Sequence, residues 1–165
     1  MNDRELLRIA RFYAESFLEI AREPLPDIAD CLAGIVGEED DIGLLTAATL
    51  YTPVIHLMPS EDFIAKTYGK DVFNLLMETT YDPGLNLARR HRAIKARVRD
   101  MDARTKILQL AVLRGYAPLE LSLMRSAGIN ARDYVQSLES VAASLRDTCP
   151  ALYDQFLEDL DNVAL

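Results

Sequence analysis

Cysteine and histidine are scarce in this 165-residue sequence, with two of each. Cys31 and Cys149 show no metal-like spacing and read most simply as reduced core or near-surface thiols. No histidine precedes His56. No apolar run approaches the ~20 residues needed to span a bilayer. The N-terminal stretch MNDRELLRIARFYAESFLEI places charges among its apolar positions, where a signal peptide needs an unbroken core. The expectation is a cytoplasmic protein without a membrane span. P-loops, glycine-rich nucleotide fingerprints and Ser/His/Asp or Cys/His arrangements are also missing. Positive charge is in deficit: 18 Lys/Arg against 26 Asp/Glu give −8. That balance argues against general nucleic-acid binding, because phosphate backbones favour basic surfaces.

What is present is an ordinary globular composition, half hydrophobic and 27% charged, long enough to bury a core as one domain over 1–165. The charge is unevenly placed. Residues 89–114 hold nine Lys/Arg against Asp100 and Asp102, a segment of +7; the other nine basic and 24 acidic residues sum to −15. A basic stripe on an acidic body can bind an anion or dock onto acidic surface of the same protein.

Helical periodicity dominates, and the expected fold class is all-α. Over 4–22 the stripe Leu6, Ile9, Phe12 (or Tyr13), Phe17 and Ile20 predicts an amphipathic first helix closed by Pro24 and Pro26. Pro26 suits the first turn of a second helix reaching about Val36. The acidic loop 37–41 then feeds a third helix, either as caps for its dipole or as a cation site; Pro53 and Pro59 bracket that helix's end. Ser60 should cap a short helix, Glu61–Tyr68, ended by Gly69. A further helix follows over 71–80, and Asp82-Pro83-Gly84 reads as a turn. Helices are then expected at about 85–100, 103–114, 118–126, 131–147 and 151–163. Leu138, Val141, Leu145, Leu152, Phe156 and Leu160 either cover the domain's own core or form an association face.

Four pieces in order resemble a known family. "DIADCLAGIV", "LLTAATLYT", "SEDFIAKTYGKDVFNLLMETTYDP" and "LARRHRAIKARVRDMDARTKILQLA" are similar to segments of the RelA/SpoT-type HD-domain pyrophosphohydrolases of guanosine tetra- and pentaphosphate. The resemblance is strongest over 26–115, with 116–165 as C-terminal helices packing on it. It implies an HD-domain-like multi-helix bundle. In that family an upstream His, an adjacent His-Asp pair and a later Asp hold a divalent metal, commonly manganese, that polarises water for attack on phosphate. Carried over position by position, the upstream His falls near Pro24 or Leu25, and the His-Asp pair becomes Tyr51-Thr52. The family's downstream Glu-Asp pair becomes Ile55-His56, and the later Asp becomes Val112. Losing every ligand removes the cooperation on which metal affinity depends. The resemblance therefore implies a pseudo-hydrolase with no metal or other cofactor, acting as a regulatory or binding module.

Two kinds of partner fit this reading: guanosine polyphosphate or another nucleotide, and a protein. The candidate phosphate-binding residues are Arg89, Arg92, Lys95 and Arg99, of which Arg92, Lys95 and Arg99 share a helical face. The competing reading is a solvated face paired with the acidic remainder. His56 is either a relocated ligand or a polar residue at a helix end. His91, on the apolar stripe Leu87-Ile94-Val98, reads as a hydrogen-bonded, partly buried side chain. The alternative function is a metal-dependent nucleotide phosphohydrolase with a rebuilt site drawing on His56 and carboxylates such as Glu38 to Asp41, Asp100 or Asp102.

Overall fold

The computed structural model describes residues 1–80 and 84–164, and among these every regular element is helical. The chain forms two compact units, Met1–Thr80 and Tyr81–Leu165. No described helix is long and apolar enough to cross a membrane.

The first unit opens with α1, Asp3–Ile20. Asn2 and Glu5 each accept from the other's backbone N–H, a reciprocal cap that satisfies two amides the first turn leaves over. The buried face of α1 is Leu7, Ala10, Ala14 and Phe17. The expected stripe is only partly right: Phe17 is buried and Leu6 and Tyr13 are half-buried, but Phe12 and Ile20 are 73% and 78% exposed, and Ile9 is 41% exposed. Two apolar stripes run along this helix, and the one carrying small alanines is buried against the next helix, α2 (Ile42–Leu57).

The helix expected over 26–36 is absent. Backbone bonds of i→i+3 type build turns and a short 3-10 segment, Asp30–Leu32. The Asp27 carboxylate takes the Ala29 N–H at 2.9 Å, offering the backbone an alternative to helix. Ile28 and Leu32 are fully buried and anchor the segment.

Asp41 caps α2 by accepting from Leu44 N–H at 2.9 Å. The helix ends between Pro53 and Pro59, as expected: it runs through Pro53 to Leu57, and Met58, with left-handed backbone (φ 49°), ends it. A proline inside a helix removes one hydrogen bond and crowds the preceding turn. Here the cost is met by burial, since every residue from Leu44 to Val54 is buried. Ser60 caps α3, Glu61–Tyr68, and Gly69 at φ 92° ends it, as expected. α4, Lys70–Thr79, follows directly.

The second unit comprises α5 (Leu87–Arg97), α6 (Ala103–Ser126), α7 (Arg132–Ala143), a 3-10 turn (Arg146–Thr148) and α8 (Pro150–Ala164). The turn expected at 82–84 falls mostly outside the described residues. α6 is one helix where two were expected, continuing through Gly115 and Pro118. Arg114 bridges to α8 beside Pro118: its Nε donates to Asp159 at 2.6 Å and its Nη1 to Gln155 at 2.5 Å. Leu138, Val141, Leu145, Leu152, Phe156 and Leu160 are at most 4% exposed, so they form core rather than an association face.

Candidate functional site

The positions that the resemblance assigns to metal ligands lie on two helices. In the first unit, Tyr51, Thr52, Ile55 and His56 share one face of α2 by their i, i+1, i+4, i+5 spacing. Tyr51 is fully buried and Thr52 is 2% exposed. The Thr52 hydroxyl donates to the Pro26 carbonyl at 2.7 Å, tying α2 to the segment where the upstream His would fall. His56 is exposed in the last helical turn, its ring 6.1 Å from that of Phe17. In the second unit, Val112 is buried in α6. One imidazole, two hydroxyls and two hydrocarbons are not a donor set for a divalent ion.

Of the carboxylates that a rebuilt site would draw on, Glu38 to Asp41 and Asp102 are engaged locally, and Asp100 is exposed in the turn after α5. Glu38 pairs with Arg11 at 2.6 Å and Glu39 with Arg4 at 3.1 Å. Asp40 accepts from Gly37 N–H at 2.7 Å, and Asp41 and Asp102 cap α2 and α6. Among the described residues, no three His, Cys, Asp or Glu side chains are grouped so as to hold a metal.

The basic helix α5 divides its charges between two faces. Arg89, Arg92 and Lys95 are exposed, with Arg89 in a first turn capped by Asn86. Lys95 Nζ donates to Ser140 on α7 at 2.7 Å. Arg99 is exposed in the turn just beyond the helix end, where Val98 keeps helical backbone. On the inner face, Arg90 pairs with Glu120 at 3.3 Å, both side chains under 20% exposed. Tyr134 donates its hydroxyl to the same carboxylate. Burial raises the Glu120 carboxyl above the ordinary range, against the pull of Tyr134 and Arg90.

His91 is 2% exposed, more buried than expected, with Nδ1 2.9 Å from Ser137 Oγ and its ring 5.4 Å from Tyr134. Burial, and then the neighbouring Arg90, lower its pKa to about 4, so it is neutral at physiological pH. Glu120, Tyr134 and Ser137 were not legible as its surroundings, because they are 29 to 46 residues away along the chain. One further polar group is sealed in α6. Gln109 is fully buried, and neither its Nε2 nor its Oε1 has a hydrogen-bond partner among the described residues.

No protein-family model and no curated protein matches the sequence. Among solved structures, the chain is similar to a metazoan ortholog of SpoT, a protein that hydrolyzes ppGpp and plays a role in starvation responses. The match has a TM-score of 0.73 at 21% identity, covering 95% of this chain and 94% of that one. The likeness is one of fold: this all-α chain shares the helical architecture of that neighbour.

Proposed function

We propose that this chain, working as one HD-like domain over 1–165, is a catalytically inactive relative of the ppGpp hydrolases that serves as a regulatory binding module. The observation that carries the reading is the chemistry at the assigned ligand positions. Thr52 spends its hydroxyl on a backbone carbonyl, Val112 is sealed hydrocarbon, and only His56 could coordinate an ion. A fold kept while these donors are replaced suits binding without turnover. The exposed row Arg89, Arg92 and Lys95, with Arg99 beyond it, supplies positive charge for a guanosine polyphosphate or another nucleotide.

The test is a calorimetric titration of guanosine tetraphosphate into metal-free protein, repeated with Arg92→Ala and Lys95→Ala together. Saturable binding weakened at least tenfold in the variant is expected. A flat titration would turn the search to a protein partner and remove the nucleotide. The second reading, a metal-dependent nucleotide hydrolase with a rebuilt site, draws on the activity of the structural neighbour. Pyrophosphate release that needs added manganese would favour it.

A further inference from the structure

Helix α1 buries one apolar face and exposes another. The exposed face runs Ile9, Phe12, Ser16 and Ile20, and steps of three, four and four residues keep these side chains on one side of the helix. Three large apolar groups on one exposed stripe form a patch rather than scattered surface residues, and such patches mark contact surfaces. Between them Ser16 is small, and its hydroxyl donates to the Phe12 carbonyl at 2.8 Å, so it is bonded within its own helix.

One edge of this stripe carries charge of both signs. Arg8 and Glu19 lie on that edge, eleven residues and roughly 16 Å apart along the helix. Both are exposed, and neither takes part in an ion pair among the described residues. Glu19 also stands in the last turn of α1, which holds no basic residue, so it meets the negative end of the helix dipole uncompensated. Glu15, four residues before it, adds a like charge.

A second copy of α1 laid antiparallel meets all of these features about one two-fold axis level with Ala14. Phe12 then comes opposite the small Ser16 of the second copy, and Ile9 comes opposite Ile20. Like edges meet in such a pair, so Arg8 of each copy faces Glu19 of the other and supplies the missing cation. A two-fold contact demands this self-complementarity, in which one residue meets a second and the second meets the first. We infer that α1 pairs antiparallel with α1 of a second copy through Ile9, Phe12, Ser16 and Ile20, making a homodimer. The contact between the Phe17 and His56 rings brings the exposed Leu57 and Met58 to the same end of α1, where they add apolar surface. A single helix face still buries less than the ~800 Å² per partner of a stable interface, so the dimer is weak and reversible. It rests on α1 and is independent of the nucleotide reading.

Sedimentation equilibrium of the full chain tests this at physiological salt, where repulsion between two chains of net charge −8 is largely screened. A monomer–dimer equilibrium in the micromolar to millimolar range is expected. Phe12→Ser, at an exposed position, should weaken it at least tenfold. Arg8→Glu and Glu19→Arg should each weaken it, and the two together should restore it, because the exchanged charges again meet across the axis. Circular dichroism of each variant checks that it is folded. A chain that stays monomeric at every concentration overturns the inference and leaves the stripe to a different protein. A dimer indifferent to Phe12→Ser, or one that the double exchange fails to restore, overturns it as well.

Discussion

The two units handle charge in opposite ways. Met1–Thr80 carries six Lys/Arg against 15 Asp/Glu, a net −9, while Tyr81–Leu165 carries twelve against eleven, a net +1. In the first unit the ion pairs are on the surface: Arg4–Glu39 and Lys66–Asp62 are 70–86% exposed, and such pairs contribute little. Its polar groups in the interior, such as Thr46 and Thr49, mostly bond back to their own helix. In the second unit polar groups tie separate helices together: Arg90 and Tyr134 meet at Glu120, and His91 meets Ser137. The contrast teaches where each unit is vulnerable. The first is held by apolar packing and leaves acidic surface available, whereas the second depends on buried polar contacts that must stay satisfied.

The largest effect should come from breaking the largely shielded Arg90–Glu120 pair. Glu120→Ala leaves Arg90 desolvated and Tyr134 without its acceptor, which should cost about 3 kcal/mol in a denaturant melt. The equivalent surface change, Glu39→Ala, should stay within about 0.5 kcal/mol. Should the two prove equal, the contrast between the units would fail.

Acid should act next, and through the second unit. His91 has a folded pKa of about 4 against 6.5 for the free side chain. As pH falls below 6.5 the unfolded chain takes up a proton that the folded chain refuses until near pH 4. Stability is therefore full above this window and is lost across it, by roughly 2 to 3 kcal/mol. Glu120, whose raised carboxyl makes the folded state gain its proton first, offsets part of that loss at the acid end. Stability measured from pH 7 to pH 4 should slope downward in the native chain, and His91→Asn should flatten it.

Smaller effects sharpen the account of the assigned ligand positions. Thr52→Val removes the donor to Pro26 and should cost about 1 to 2 kcal/mol, marking Thr52 as structural. An unchanged melt would mean that its hydroxyl is available for other work. Gln109→Met replaces a buried amide that has no hydrogen-bond partner among the described residues, and should raise stability by about 1 kcal/mol. A loss of stability instead would mean that the amide is satisfied in solution.

Much of the helical order was legible because its signals are local. Ser60 and Gly69 bound α3, Asp41 caps α2, and the apolar repeat from Leu138 to Leu160 is core. The misreadings share one cause, which is that tertiary context outweighs local preference. Alanines at 10 and 14 give a weak hydrophobic signal, yet they let α1 pack against α2, while the bulkier Ile9, Phe12 and Ile20 stay outside. Gly115 and Pro118 read as the break between two helices but lie inside α6, because losing one hydrogen bond is tolerable in a long packed element. The basic row on α5 was legible by spacing, but the division between exposed Arg92 and half-buried Arg90 follows from Glu120, thirty residues away.

The most direct test of the central claim is the calorimetric titration of guanosine tetraphosphate, run on metal-free protein and again with manganese added. The expected result is one saturable isotherm, unchanged by the metal and weakened by replacing Arg92 and Lys95. Binding that appears only with manganese, accompanied by pyrophosphate release, would contradict it.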